Sequence, residues 1–153
     1  MPEYLETTVD KFIFRIATDR FYSPEGVWAI PAESQGTGRV RIGLTDYLQQ
    51  LNGDVAFAHV KPVGTKLASG DEVAELETIK ANVSLFSPVS GTVVEVNSEL
   101  DLSPEVINQE PHGKGWLAII EPTDWQAERT RLLDASGYLA AMRSQAEEEL
   151  KKQ

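Results

Sequence analysis

Short stretches of alternating apolar and polar residues run through most of this chain, and segments rich in glycine and proline separate them. This period of two is typical of β-strands that bury one face. It predicts strands at 11–16, 26–30, 38–44, 54–60, 72–79, 83–87, 91–97 and 115–120. In the first of them Phe12, Phe14 and Ile16 are predicted to share one face. The segments 31–38 and 61–71 are predicted to be turns.

Helical signals are weak before residue 123. Thr45 is a candidate N-cap for a short helix that ends at Gly53 in the left-handed conformation. Ser103 followed by Pro104 predicts one helical turn through Ile107. The strands and turns together favour a small barrel or sandwich.

From Thr123 onward, the sequence shows helix signals in place of strand signals. A capping box of Thr123 and Gln126 predicts a helix over 123–134, and a second helix is predicted over 136–152. In the second helix, Glu147 with Lys151 and Glu148 with Lys152 have the i,i+4 spacing of ion pairs. We therefore expect one domain, 1–153, with an N-terminal strand extension at 1–20 and a C-terminal helical segment at 123–153.

The chain is acidic, with 24 acidic against 14 basic residues and a formal net charge of −10. Nucleic acids and anionic membranes are therefore not expected as partners, because both attract basic surfaces. The acidity is consistent with basic docking partners or simply with solubility. No apolar run is long enough for a membrane span and the N-terminus does not resemble a secretory signal, so we expect a cytoplasmic protein.

Candidate catalytic groups are scarce. The chain has no cysteine, which excludes disulfides, thiolate nucleophiles and cysteine-bound metals. His59 and His112 do not have the spacing of a zinc site, and the motifs of nucleotide-binding and serine hydrolase sites are missing. We therefore predict no catalytic residue, no metal site, and a protein that is not an enzyme by itself.

Lys80 is the residue that attracts attention. It lies between two predicted strands, flanked by Ile79 and Ala81 rather than by residues typical of a tight turn. Such a lysine is either an ordinary solvated charge or a site of modification. A chain without catalytic groups suits a carrier whose chemistry resides on a covalent cofactor, and a hairpin tip presents the amine to a modifying enzyme.

Several motifs occur in the order found in the glycine cleavage H-protein family, which the chain resembles over roughly 22–135. Gly43-Leu44-Thr45-Asp46 is similar to that family's G-I-T-E/D, and Glu77-Thr78-Ile79-Lys80-Ala81 is similar to its E-S-V-K-A. Ser87-Pro88-Val89-Ser90-Gly91, Ser103-Pro104-Glu105 and Gly115-Trp116 also fit.

The resemblance implies a mainly β fold, the barrel-sandwich hybrid of lipoyl carriers, with short helices and two C-terminal helices. It implies lipoic acid in amide linkage on Lys80, with Glu77, Ile79 and Ala81 recognised by lipoate-attaching enzymes. Biotin is disfavoured, because biotinyl lysines usually lie between methionines. The arm would swing between partner enzymes, and dihydrolipoyl dehydrogenase is one expected partner.

The resemblance also implies a surface cleft for the arm, and here the chain departs from the family. Candidate cleft residues are Val27, Trp28, Tyr47, Ser84 and His112. Val27 and Ser84 stand where the family has glutamate and aspartate, and Tyr47 stands where it often has histidine. An aminomethyl cargo is cationic and needs acidic partners, which a valine and a serine do not supply.

The loss of these carboxylates favours a neutral or anionic cargo. With the extra N-terminal strand, the longer last helix and ETIK at the lysine, the chain resembles lipoate-binding proteins of sulfur-oxidising prokaryotes. On this basis we rank first a lipoyl carrier of sulfur species, working with a heterodisulfide-reductase-like complex. The alternatives are a glycine cleavage H-protein that carries an aminomethyl group, a carrier serving lipoate relay, and a relative that is not lipoylated.

Overall fold

The structure is a computed structural model that describes residues 3–32 and 38–152. These residues form eleven strands and five α-helices, so the chain is mainly β, as predicted. Two antiparallel strands, β1 (Tyr4–Val9) and β2 (Phe12–Ala17), form a hairpin by themselves. Its turn places Asp10 in the left-handed region at φ 56°, which aspartate tolerates better than most residues.

The sequence predicted one strand in this region, and the structure corrects the prediction to two. The strand β1 was missed because its three apolar and three polar residues do not alternate. Phe14 and Ile16 are buried as predicted, but Phe12 is 41% exposed. Phe12 pairs with Val9 directly beside the turn, at the end of the hairpin.

The largest sheet has six antiparallel strands in the order β3-β4-β5-β11-β10-β7. Their bounds are β3 (Phe21–Tyr22), β4 (Val27–Pro31), β5 (Val40–Leu44), β7 (Lys66–Leu67), β10 (Gly91–Val96) and β11 (Ala118–Pro122). The short strand β7 corrects the prediction that 61–71 is all turn, since Leu67 pairs with Gly91 at the sheet edge. Most of the connection predicted at 31–38 lies outside the described residues.

A second sheet of three antiparallel strands has the order β6-β8-β9. Its strands are β6 (Val55–Val60), β8 (Glu72–Thr78) and β9 (Asn82–Phe86). All three were predicted from the alternation of apolar and polar residues. The strands β8 and β9 form the hairpin whose tip carries Lys80.

The first helix, α1 (Asp46–Asn52), forms as predicted. The Thr45 hydroxyl accepts a hydrogen bond from the Leu48 N–H, and Gly53 ends the helix at φ 82°. Glycine is favoured there because a side chain is strained at that angle. Two further short helices follow, α2 (Glu99–Leu102) and α3 (Val106–Gln109).

The sequence missed α2 and placed the start of α3 too early. Ser103 does not cap α3 with its side chain; instead its carbonyl accepts from the Val106 N–H at 3.1 Å, which makes a separate turn before the helix. The preceding helix α2 occupies 99–102, so the chain must turn before α3 can begin.

The C-terminal region contains two helices with different bounds from those predicted. The first, α4 (Trp125–Glu128), is capped by Asp124 rather than Thr123, and a 3-10 turn at Arg129–Arg131 follows it. The predicted helix over 123–134 ends early because the next residues extend to pair with Tyr22. The second, α5 (Ala135–Lys151), is capped by Asp134.

The ion pairs near the end of α5 also differ from the prediction. Lys151 pairs with Glu148 and Lys152 pairs with Glu149, each at 3.4 Å and at i,i+3 rather than i,i+4 spacing. Glu147 instead lies 3.9 Å from Arg143, on the preceding turn. All of these pairs are exposed and contribute little to stability.

Two separate groups of buried side chains hold the fold together. The barrel core lies between the two sheets and consists of the buried residues Val27, Ala29, Val40, Ile42, Leu44, Val55, Leu67, Val73, Ala74, Leu76, Leu85, Val89, Val93, Leu100, Val106, Ile107, Leu117, Ala118 and Ile120. The cap core consists of Val9, Phe14, Ile16, Tyr22, Trp28, Tyr47, Ala135, Tyr138, Met142 and Ala146. We call the β1–β2 hairpin together with α5 the cap.

Hydrogen bonds attach the hairpin to the helices on both sides of it. On one side, the backbone N–H of Arg15 donates to the Asp46 carboxylate at 2.9 Å. The Gln50 amide donates to the Ile13 carbonyl at 3.0 Å. On the other side, the Arg143 guanidinium donates to the Thr8 carbonyl at 3.0 Å. The hairpin is therefore an integrated part of the fold.

Candidate functional site

Lys80 lies at the tip of the β8–β9 hairpin, in the tight turn formed by Ile79, Lys80 and Ala81. Lys80 and both of its neighbours are exposed, and Ile79 has 83% of its surface accessible. The ammonium of Lys80 has no ion-pair partner among the described residues. The turn thus presents a free amine on an exposed four-carbon stem.

Thr78 closes this turn. Its backbone N–H donates to the Ala81 carbonyl at 2.9 Å, and its hydroxyl donates to the same oxygen at 2.8 Å. The hydroxyl also accepts from the Ala81 N–H at 3.1 Å. The sequence pointed to Glu77, Ile79 and Ala81 but missed Thr78. A hydroxyl residue two positions before the lysine was the available signal, because such side chains replace backbone bonds in turns.

Glu77 lies just before the turn and is held by His59 on the neighbouring strand. The His59 Nε2 forms a short hydrogen bond with a Glu77 carboxylate oxygen, and both side chains are partly exposed. Phe57 lies beside them, with its ring 6.5 Å from the imidazole. The carboxylate is therefore fixed in position near Lys80, although His59 had only a structural interpretation from the sequence.

A cavity of about 180 Å³ opens beside the lysine turn. Its walls come from the hairpin, α1, the end of α5 and the lysine itself: Val9, Phe12, Phe14, Tyr47, Gln50, Leu51, Lys80, Ala146, Glu149 and Leu150. The Lys80 stem lies against the end of α1, since a methyl group at Gly53 would be 3.8 Å from its Cε. We call this cavity the lysine pocket.

Tyr47 forms the floor of the lysine pocket together with Phe14, whose ring lies edge-on at 5.3 Å. Burial raises the pKa of Tyr47, and the nearby negative charge of Glu149 raises it further. The phenol is therefore neutral near pH 7 and offers a hydroxyl that both donates and accepts.

The five residues predicted to line an arm cleft do not lie together. Only Tyr47 shares the lysine pocket with Lys80. Val27 is fully buried in the barrel core. Ser84 lies on β9, where its hydroxyl donates to the Glu72 carboxylate at 2.7 Å and lowers the pKa of that group.

Trp28 and His112 do not line the lysine pocket. Trp28 is fully buried, donates its indole N–H to the Pro111 carbonyl at 3.0 Å, and packs under the Arg20 guanidinium. His112 lines a second cavity with Trp28, Arg20 and Arg41. Burial, followed by the Arg20 charge, lowers the pKa of His112 to about 4, so its imidazole is neutral at pH 7.

Pocket residues from the chain ends were not predicted at all. Val9, Phe12, Phe14, Glu149 and Leu150 reach the lysine pocket only because the hairpin and α5 pack together. In sequence they are more than a hundred residues apart, and no short motif connects them. Within 3–32 and 38–152, the structure contains no group of three or more potential metal ligands and no helix long and apolar enough to span a membrane.

Comparison with known proteins gives a consistent result. The family model described as glycine cleavage H-protein matches residues 20–145. A glycine cleavage system H protein of Thermus thermophilus is 38% identical over 131 residues, covering 86% of this chain and 98% of the relative. One from Pectobacterium atrosepticum is 38% identical over 127 residues, covering 83% and 95%.

A solved structure supports the same assignment. The crystal structure of a glycine cleavage system H protein from Mycobacterium marinum has a TM-score of 0.72 and 33% sequence identity. The similarity covers 82% of this chain and 97% of that one. It confirms the barrel-sandwich fold that was predicted from the sequence.

Proposed function

The chain belongs to the glycine cleavage H-protein family, and from this premise we propose that it is a lipoyl carrier for glycine cleavage, with the lipoyl group on Lys80. Proteins of this family are carriers within a multienzyme system rather than catalysts, and they carry lipoate on a lysine. The observation that supports Lys80 is its place at an exposed hairpin tip, in the segment that resembles the family's E-S-V-K-A.

The residues around Lys80 fit such a group. The turn held by Thr78 exposes the amine to an attaching enzyme, and Glu77, fixed by His59, is a recognition feature beside it. Ile79 and Ala81 are exposed on either side of the lysine and complete the surface that the attaching enzyme contacts. When attached, lipoate supplies a dithiolane that can be reduced and reoxidised at separate enzymes. Tethering gives it a high local concentration at each docked site.

The sequence ranked a sulfur-oxidation carrier first, and we reverse that order. The relatives above bear the name of glycine cleavage proteins, and none of these names supports a sulfur cargo or a heterodisulfide-reductase-like partner. The proposed partners are lipoate-attaching enzymes, the other glycine cleavage enzymes and dihydrolipoyl dehydrogenase. Val27 and Ser84 stand where the family has carboxylates, so these two positions supply no acidic group in this chain.

The decisive experiment is intact mass and peptide mapping after incubation with a lipoate-attaching enzyme. We expect one lipoyl group, on the peptide that contains Lys80. It should be lost in Lys80→Arg and kept in Lys61→Arg, which changes in the same way an exposed lysine that directly follows the neighbouring strand β6. A wild-type chain that stays unmodified, or a label that survives in Lys80→Arg, would overturn the proposal.

Glycine decarboxylase exchange with the lipoylated protein then tests the pathway. We expect exchange well above the background of the Lys80→Arg protein, since that variant lacks the arm. A protein that is lipoylated on Lys80 but supports no exchange would remain a lipoyl carrier. That result would favour a sulfur cargo, which is the hypothesis ranked first from the sequence.

A further inference from the structure

The second cavity, which His112 lines, has a volume of about 560 Å³ and lies on the face of the six-stranded sheet that points away from the barrel core. Ile30 and Arg41 are register partners on β4 and β5, and their neighbours Ala29 and Ile42 are buried in the barrel core. Since side chains alternate along a strand, Ile30 and Arg41 share the opposite face. We call this space the arginine cavity; its lining residues include Arg20, Phe21, Ile30, Pro31, Arg41 and His112.

Arg20 is held rigidly in the wall of this cavity, with only 7% of its surface exposed. Its guanidinium donates to the Asp19 carboxylate at 2.7 and 3.3 Å and to the His112 carbonyl at 2.9 Å. The same group lies over the Trp28 ring at 4.5 Å. A guanidinium has five N–H donors, and these bonds use three of them. Arg20 therefore keeps N–H groups for a further acceptor in a fixed orientation.

Two other nitrogen atoms at the arginine cavity are buried and have no hydrogen-bond partner among the described residues. They are Arg41 Nε and His112 Nε2. The Arg41 guanidinium lies over the Trp116 ring at 5.1 Å, and no carboxylate within 3–32 and 38–152 forms an ion pair with it. The ring attracts the charge but accepts no conventional hydrogen bond. An acceptor from outside the chain would satisfy these groups.

The charges at the arginine cavity favour an anion with a single charge. Arg20 and Arg41 are positive, Asp19 is negative, and His112 is neutral at pH 7 because burial lowers its pKa to about 4. Two positive charges and one negative charge leave a local charge of +1, in a chain whose net charge is −10. Guanidinium groups match the planar geometry of a carboxylate, which accepts two hydrogen bonds side by side.

The size and the apolar side of the cavity favour an organic ligand over a bare inorganic ion. Phe21, Ile30 and Pro31 line it beside the two arginines. A cavity of this volume with apolar walls and a few fixed polar groups is typical of small-molecule sites.

We propose that the arginine cavity binds a small organic monocarboxylate, whose oxygens accept hydrogen bonds from Arg20 and Arg41 and whose apolar body lies against Phe21, Ile30 and Pro31. The His112 Nε2 donates a further bond when it carries the ring proton. This site goes beyond the proposed function, because it shares no lining residue with the lysine pocket.

The test is an NMR titration of the full-length, ¹⁵N-labelled protein with benzoate as the probe. Benzamide is the neutral control of the same shape, and inorganic phosphate is the control for general anion binding. Binding is followed through the backbone amides of residues 19–21 and 30 and through the Arg41 Nε–H signal. That signal is assigned by its loss in Arg41→Gln.

We expect saturable shifts with benzoate and a Kd on the order of 1 mM, as suits a ligand of so few atoms. Benzamide, phosphate and the Arg41→Gln variant should each give affinity lower by about tenfold or more, since each loses a charge-assisted hydrogen bond or the apolar contact. Arg39→Gln should stay within about twofold of the wild type. It removes the same charge from the same strand, but Arg39 lies near Glu121 and does not line the cavity.

Several results would overturn the inference: no saturable shift with benzoate, equal affinity for benzamide, or undiminished binding by Arg41→Gln. Phosphate binding as tight as that of benzoate would also overturn it, by showing a site for inorganic anions. If Arg41→Gln fails to fold, the comparison of benzoate with benzamide in the wild-type protein decides alone. Lys80→Arg should bind benzoate like the wild type, so this result and the test of lipoylation succeed or fail separately.

Discussion

The two buried cores of this protein are built from different kinds of side chain. In the barrel core, every buried residue is aliphatic: valine, leucine, isoleucine or alanine. In the cap core, half of the ten buried residues are aromatic, namely Phe14, Tyr22, Trp28, Tyr47 and Tyr138. Aliphatic side chains pack by shape and area alone, whereas tyrosine and tryptophan also need hydrogen-bond partners.

Three aromatic groups of the cap core have such partners. The Tyr22 hydroxyl donates to the Ala17 carbonyl, the Tyr138 and Thr45 hydroxyls lie 3.0 Å apart, and the Trp28 indole donates to Pro111. The rings of Tyr22 and Tyr138 stack at 4.7 Å. Each bond fixes an orientation, so the cap is attached in one arrangement. The barrel core contains more of the buried residues than the cap core does, and residues of the cap line the cavity beside Lys80.

The largest expected loss of stability comes from a substitution in the barrel, at a glycine where the backbones of two strands are in close contact. A Cβ at Gly91 would lie 2.2 Å from the Glu121 carbonyl oxygen, and neither backbone can move without distorting the sheet. We expect Gly91→Ala to lower the free energy of unfolding by about 3 kcal/mol or more, measured by urea unfolding. Gly113→Ala is the control, because its Cβ would make ordinary contact at 3.6 Å. Equal stability of the two variants would contradict this account of the barrel.

The next effect concerns the junction between cap and barrel, where His112 contacts the Tyr4 ring of β1 and its carbonyl accepts from Arg20. Burial and the Arg20 charge lower the pKa of His112 from 6.5 to about 4, against opposing contributions from Asp46 and Asp19. Between these pH values the unfolded chain binds a proton that the folded chain does not. Stability is therefore fully present above pH 6.5 and is lost as the pH falls toward 4.

The size of this loss is on the order of 2 kcal/mol. Urea unfolding at pH 7.5 and at pH 4.5 measures it in the wild-type protein and in His112→Gln, whose side chain does not titrate. The variant should lose less stability over this range, which separates His112 from the carboxylates that titrate in the same window. A wild-type loss equal to that of the variant would show that His112 is not the group responsible.

The smallest expected loss of stability comes from removing one hydrogen bond of the cap core. Tyr138→Phe keeps the stacked ring but removes the hydroxyl that bonds Thr45, the N-cap of α1. We expect a loss of about 1 kcal/mol, since one buried hydrogen bond disappears. Hydrogen exchange should rise in α1 and α5 and stay unchanged in the strands of the barrel. Tyr4→Phe, at a partly exposed position, should leave both regions as they are.

The difference between the barrel and the cap also explains which parts of the fold could be predicted from the sequence. Strands such as β5 and β8 follow the alternating pattern over most of their length, so their presence and the turn that contains Lys80 could be predicted from local pattern. The strand β1 has only three apolar residues, Tyr4, Leu5 and Val9, and it forms because α5 and β2 cover it. Its partner on α5 lies more than a hundred residues away, where local pattern carries no information.

Only part of the candidate site could likewise be predicted from local sequence pattern. Lys80 could be proposed as the attachment site from the sequence because a recognisable motif surrounds it. Its pocket could not, since Phe12 and Glu149 meet only after the two chain ends have packed together. The expected cleft residues were chosen by position along the chain. In the structure, Val27 lies in the barrel core and Trp28 lies in the cap core.

The packing of the hairpin against α5 has a practical consequence for affinity tags. Leu150 lines the lysine pocket, so a tag fused after residue 153 begins within a few residues of it and competes for the same surface. The start of β1 lies at the opposite end of the hairpin from the Asp10 turn, about 20 Å away along the strand. A purification tag for lipoylation or docking assays therefore belongs at the N-terminus, since Tyr4 lies at the end of the hairpin that is farther from the pocket-lining residues Val9 and Phe12.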